Sequence, residues 1–200
     1  AAWMAFFAGI GWGQPYIYLK TRTVDPVQAA SPGALEAQRQ SSQRFTPGGR
    51  VHRLIPCEAA PGGVVRVELA ERGVAVMAYV PENSFLIAGP GVVSLGWLGG
   101  RWGGALGADD KISPAIEQPM TGMRLDSYDF VVAFHGDVSM SGAREAVLAA
   151  GIELRDHADL DPHYLLIHAT VAIVVALSEW DEVAYIFPAS DALAGGQPTQ

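Results

Sequence analysis

The sequence predicts an α+β fold in which one six-element pattern, β-α-β-β-α-β, is used twice. Three observations carry this. Gly73 and Gly151 each close an apolar-striped segment and each lead into a strand-like run. Phe85-Leu86-Ile87 recurs as Leu165-Leu166-Ile167, each following a turn rich in proline or acidic residues. Half of the 200 residues are hydrophobic and only 17% are charged, which supplies core material for both copies and excludes wholesale disorder.

The elements follow in chain order. Residues 1–14 are apolar and glycine-rich, with no charge before Lys20, and match a secretory signal-peptide remnant. Residues 15–50 hold Pro26, Ser31-Pro32-Gly33 and Thr46-Pro47-Gly48-Gly49, a linker or leader composition in which Ala34 to Gln40 would form at most an exposed turn or two of helix. In the first copy Val51 to Ile55 is a strand. Val64 to Arg72 is a helix with Val64, Val67 and Leu69 on its apolar side, and Val74 to Met77 is the next strand. Pro81-Glu82-Asn83 turns the chain into Ser84 to Ile87. Val92 to Leu98 is a short second helix, and Arg101-Trp102 opens a last strand that its neighbouring glycines should weaken.

The second copy begins with the apolar strand Phe130 to Phe134. Ala143 to Ala150 is a helix striped by Ala143, Val147 and Ala150, and Ile152 to Leu154 is a strand. Asp159 to Pro162 turns into Tyr164 to Ile167. Thr170 caps a helix running to about Trp180, and Val183 to Phe187 closes the copy before Pro188. The run Val171 to Leu177 is apolar on all sides, so as a helix it must expose part of that surface. This element order is that of the ferredoxin-like unit. The expectation is two tandem ferredoxin-like βαββαβ units over 51–118 and 126–191, split near Pro119 to Asp126. Each would be an antiparallel four-stranded sheet with two helices on one face, and 192–200 would form a tail.

The second copy, with Ala149-Ala150-Gly151, Leu165-Leu166-Ile167 and Trp180 to Ile186, resembles the peptidase-inhibitor prodomain of subtilisin-like proteases. The first, with Tyr79-Val80-Pro81-Glu82-Asn83 and Lys111-Ile112-Ser113-Pro114, resembles its divergent relative in bacterial secreted proteases, and Lys20 to Pro26 resembles the basic leader ahead of such domains. Asp181 to Ser190 is similar to the phrase preceding the catalytic part of matrixin-like metalloproteases. The resemblance covers roughly residues 51–191. It departs at Gly100, Gly103 and Gly104, where the family has an apolar closing strand. It implies a secreted, non-catalytic region acting as intramolecular chaperone and inhibitor of a protease domain that would follow. That domain would be a zinc metalloendopeptidase first and a subtilisin-like serine endopeptidase second. The resemblance also implies that the tail (Pro188, Ala189, Ser190, Asp191, Ala192, Leu193) runs extended into that domain's cleft, as an added strand would.

The residues exclude several functions. No His-Glu-x-x-His or Gly-x-Ser-x-Gly occurs, and the glycine clusters lack a phosphate-loop context. Cys57 is the only cysteine, so neither an intrachain disulfide nor a cysteine-based zinc site can form, and its neighbours Pro56 and Glu58 would not activate it. Acidic residues number 21 against 13 basic, which argues against a nucleic-acid partner, and no apolar run is long enough for a membrane span. No cofactor is expected in these residues. His157 and His163, near Asp156, Asp159 and Asp161, either approach across a hairpin as ligands for a divalent ion or are scattered imidazoles of a solvated acidic turn. Asp109-Asp110 and Asp181-Glu182 read as solubilising and capping groups. The alternative function is a free-standing tandem module that binds a protein or small ligand between its copies.

Overall fold

The computed structural model describes residues 17–19, 23–24, 49–56, 63–80, 84–90, 104–116, 126–193 and 197–198. The expected signal remnant, most of the linker, the Pro81–Asn83 turn, the 92–98 helix, Arg101-Trp102, Cys57 and residues 117–125 of the boundary lie outside the described residues. Within the expected linker, β1 (Ile17–Tyr18) and β2 (Thr23–Val24) pair antiparallel.

The second unit has the expected element order. It comprises β6 (Ser127–Phe134), α3 (Met140–Ala149), β7 (Glu153–Asp156), β8 (Tyr164–Thr170), α4 (Val171–Ser178) and β9 (Val183–Pro188). Its sheet runs β7-β8-β6-β9, antiparallel throughout. Alternation along the strands sorts side chains between two faces. Phe130, Val132 and Phe134, with Leu165, Ile167 and Ala169, face the helices and form one buried cluster with Ala143, Val147, Val174 and Leu177. Both helices therefore cover the same face.

Helix α3 starts at Ser139, whose Oγ accepts from Gly142 N at 3.4 Å. Thr170 stands at the N-cap of α4, but its hydroxyl makes no capping bond, contrary to expectation. That helix also ends at Ser178 rather than Trp180. Its last turn tightens, with Glu179 and Trp180 N–H donating to Ala176 and Leu177 carbonyls. The all-apolar run leaves Val175 39% exposed while Val174 and Leu177 are buried.

The first unit comprises β3 (Val51–Pro56), α1 (Gly63–Glu71), β4 (Ala75–Val80) and β5 (Ser84–Gly89), with sheet order β3-β5-β4. Among the described residues this sheet has three strands; the expected opening of the fourth, Arg101-Trp102, lies outside them. Gly104, just after it, bridges Leu54. Leu54 N donates to Gly104 O at 2.7 Å and Gly104 N to Leu54 O at 3.1 Å. Leu69 of α1 packs with Ile55, Val74, Phe85 and Ile87, whereas Val67, expected inside, is 59% exposed.

The repeat survives at the level of hydrogen bonds. Gly73 (φ 72°) and Gly151 (φ 73°) are both left-handed. Val74 N reaches Leu69 O, and Ile152 N reaches Val147 O, the six-to-one bond of a Schellman ending in each. Val76 pairs with Ile87 as Leu154 pairs with Ile167, and Leu54 pairs with Leu86 as Val131 pairs with Leu166. Gly104 flanks Leu54 as Phe187 flanks Val131.

Two connections depart from the expected layout. Residues 108–116, grouped above with the first unit, pack on the second: Ile112 and Ile116 belong to its core, and Ile112 bridges Ile186 in parallel. They include the one-turn helix α2 (Ala108–Lys111), in which Asp110 Oδ2 accepts from Gly107 N at 2.9 Å. The second sheet also gains a fifth strand, β10 (Gln197–Pro198), paired with β7 at the edge opposite β9.

Candidate functional site

The most distinctive chemistry lies where the two units meet. Alternation along β3 puts His52 and Leu54 on one face and Ile55 on the other. Ile55 faces α1, so His52 points away from the first unit's core. There it meets the end of the second sheet, where β6 stops and β9 begins. The turn after β6 carries His135 and Asp137, closed by Val138 N on His135 O at 3.0 Å. The loop before β9 carries Asp181 and Glu182, and Glu182 O accepts from His135 N at 3.1 Å. The Met77 methyl of β4 lies beside Gly136 of that turn.

Both nitrogens of the His52 ring engage carboxylates. Nδ1 is 2.8 Å from Asp181 Oδ2, and Nε2 is 2.8 Å from Asp137 Oδ1. The His52 amide also donates to Asp181 Oδ2 at 3.0 Å. The His135 ring stacks on His52 with centroids 4.0 Å apart and planes 21° apart. Arg50 lies at the rim, its Nε 3.7 Å from Asp137 Oδ2. Its NH2 donates to the carbonyls of Gly73 at 2.9 Å and Ala88 at 2.8 Å. Lys111 of α2 donates from Nζ to Trp180 O at 2.7 Å. His52, His135, Asp181, Glu182, Lys111 and Asp110 are all buried.

Burial sets much of the electrostatics. It pulls the His52 pKa down, but hydrogen bonds to Asp181 and Asp137 and the charges of both outweigh it, and the net direction is up. Burial pushes Asp181 up, but the bonds from the His52 ring and amide and the charges of His52 and Lys111 bring it below its ordinary value. His135 is driven down to about 3, by burial first and then by the charges of His52 and Lys111. Burial lowers Lys111 to about 8 against the opposing pull of Asp181, Glu182 and Asp110. In the stacked pair, the carboxylates therefore favour the imidazolium at His52 and burial favours the neutral ring at His135.

This arrangement holds a proton and ties two surfaces together. A ring with both nitrogens on carboxylates has no free lone pair, so His52 in this state is not a general base.

The residues singled out from sequence lie elsewhere. His157 and His163 sit in the β7–β8 turn, each held by a neighbour: His157 Nδ1 accepts from Asp159 N at 3.2 Å, and His163 N donates to Asp161 Oδ1 at 2.9 Å. Among the described residues no three His, Cys, Asp or Glu side chains are grouped to hold a metal. The tail does not run extended from the sheet. Pro188 pairs with Phe130, Ala189 N donates to Asp129 O at 2.9 Å, and Leu193 N turns back onto Ser190 O at 2.9 Å. Asp191 and Ala192 lie in that turn, exposed. Gln197 and Pro198 then pair with β7, because its edge offers unpaired backbone groups.

Sequence reasoning missed His52, His135, Asp137, Asp181 and Lys111. It took Asp181 as a capping group and looked for histidine chemistry only between 157 and 168. The available signal was a histidine alternating with leucine in a short strand, together with a second histidine ending an apolar one.

Searches of family models, curated proteins and solved structures return no match to this chain.

Proposed function

We propose that this chain is a prodomain-like region of a secreted endopeptidase, an intramolecular chaperone and inhibitor built from two ferredoxin-like units, the first reduced at its fourth strand. A metalloendopeptidase is the first choice of partner domain and a subtilisin-like serine endopeptidase the second. One observation carries the reading: corresponding sheet faces in the two units. In the first unit, the face away from the helix bears His52 and Leu54 and meets the second unit. The corresponding face of the second unit bears Val131 and Leu166, with Tyr164, Tyr185 and Phe187 half-buried around them. Tyr164 packs edge to face on Phe187 with centroids 6.0 Å apart, and Tyr185 lies tilted on Phe187 at 6.3 Å. Aromatic side chains of this kind suit a docking face, since they bury much area with few torsions to freeze. Residues 126–191 carry two basic and twelve acidic side chains, net −10, which favours a basic partner surface and a salt-sensitive association rate.

The test reads the coding sequence around this chain for an endopeptidase domain and adds residues 1–200 to that domain in trans; a gene without one overturns the reading. Residues 1–200 are expected to slow that enzyme in trans, with an association rate that falls as salt rises. Phe187→Ala should weaken inhibition while leaving the circular dichroism spectrum unchanged. A folded chain that neither binds nor slows the enzyme at micromolar concentration overturns the reading. The free-standing tandem module then takes its place; it is favoured by the buried tie at His52, which joins the units without any third domain.

A further inference from the structure

We propose that His52 is a proton-operated latch between the two units, closed while its ring is an imidazolium and released when the ring loses its second proton. The geometry requires two donors. Nδ1 and Nε2 each face a carboxylate oxygen at 2.8 Å, and a neutral imidazole has one donor and one acceptor. In the neutral state one carboxylate would face a lone pair inside a joint where His52 is 4%, Asp181 3% and Asp137 16% exposed. A lone pair turned on either carboxylate makes that contact repulsive, and at Asp181 water has no room to replace the lost bond.

Among the described residues, the neighbouring cations are already engaged. Arg50, just before β3, has its NH2 on the Gly73 and Ala88 carbonyls, and its Nε stays 3.7 Å from Asp137. Lys111 of α2 commits Nζ to Trp180 O. His135, from the turn after β6, stacks on His52, and its buried Nε2 has no hydrogen-bond partner, so a second proton there would be both unpaired and next to an existing charge. Glu182 and Asp110 complete the charged groups around Lys111 and Asp181.

The direction is fixed by which state binds the proton. The closed joint holds it, and an opened His52 returns towards the ordinary histidine range near pH 6.5. Acidic to neutral surroundings keep the joint closed; alkaline surroundings open it and bare the face of His52, Leu54 and Ala88. The latch rests on this geometry alone and holds whether or not the chain inhibits a protease.

The experiment is a pH series on the full chain, reading the His52 ring nitrogens by NMR and the His52 amide, which donates to Asp181, by hydrogen exchange. Both ring nitrogens should be protonated at about pH 6.5. Amide protection, corrected for the intrinsic exchange rate, should fall by up to about tenfold per pH unit from about pH 6.5 to the ring's own titration in the closed joint, and level off above it. In Asp137→Asn the side-chain amide can donate to a neutral Nε2, so protection should stay flat over the same range. A singly protonated ring at about pH 6 with the amide still protected overturns the proposal. So does an Asn variant that loses protection as the wild type does. The ring measurement uses the wild-type chain and decides the matter even if the variant does not fold.

Discussion

The two units share a Schellman ending, a strand register and a sheet order. Among the described residues, however, the second gathers sixteen buried hydrophobic residues in one cluster and the first gathers five, Ile55, Leu69, Val74, Phe85 and Ile87. A core of five side chains is small for an independent domain, because burial must offset the entropy of ordering every residue. The first unit spends its second sheet face on a neighbour: His52, Leu54 and Ala88 are buried at or beside the joint. On the corresponding face of the second, Val131 and Leu166 are buried while Tyr164, Tyr185 and Phe187 around them stay half-buried. Shared wiring therefore does not imply shared autonomy, and six substitutions and a pH series can break or sharpen the contrast.

The largest effect should come from Asp181→Ala, which removes the carboxylate contacting both the ring and the amide of His52 and leaves the buried ring with Asp137 as its one remaining carboxylate. Removing one member of such a pair costs about 3–5 kcal/mol. The loss should appear as a separate early transition of the first unit in denaturant melts followed residue by residue. A single concerted transition at unchanged midpoint would show that the first unit stands without the tie.

Next is Ile167→Ala, where a side chain with 0% exposure leaves a cavity in the larger core. It should cost about 2–5 kcal/mol and destabilise the whole chain, whereas Ile87→Ala at the corresponding position should melt only the first unit. Equal global effects would erase the asymmetry.

Gly73→Ala and Gly151→Ala test the part that is shared. An added Cβ meets nothing within 4 Å at Gly151 and only Pro90 at 3.8 Å at Gly73, so the cost is left-handed backbone strain, about 1–2 kcal/mol at each. Matched costs in equilibrium unfolding would confirm that the two endings are one motif.

The last test is the pH dependence. His52 has a raised folded pKa, so its contribution is complete below the ordinary value of 6.5 and is lost as pH rises through the raised one. His135 is lowered to about 3, so the unfolded chain takes up its proton first and stability falls as pH drops from about 6.5. The two slopes oppose each other and place a maximum near neutrality. Lys111, lowered from 10.5 to about 8, adds a rising slope only above the second of these values. His135→Phe keeps the stacking ring and deletes the titration, so stability melts between about pH 4.5 and pH 6.5 should lose most of their acid slope. An unchanged slope would place the acid sensitivity in the carboxylates.

Much of the fold was legible because its signals are local. Gly151 ends a helix and Leu165 to Ile167 forms a strand whatever lies around them. The joint was not legible, since its hydrogen bonds link His52 to Asp137 and Asp181, 85 and 129 residues away. Nothing in the spacing of those residues marks them as partners. Strand β10 escaped for a related reason: Gln197-Pro198 has little strand propensity and pairs only because β7 offers an edge. The fourth strand of the first unit fell between these cases. Glycines at 99, 100, 103 and 104 signalled weakness, and among the described residues of that stretch Gly104 alone bridges Leu54.

Gly104 is bonded to the first sheet and Ile112, eight positions later, to the second. The segment between them is a tether of known length. Fully drawn out it spans roughly 28 Å, taking about 3.5 Å per residue. When the joint at His52 parts, that leash keeps the separated faces inside a small volume, equivalent to dissolving one in the presence of the other at about millimolar concentration. Re-engagement is then a search within one molecule. Its rate is independent of how dilute the protein is, and a brief rise in pH leaves no dispersed halves to be collected afterwards.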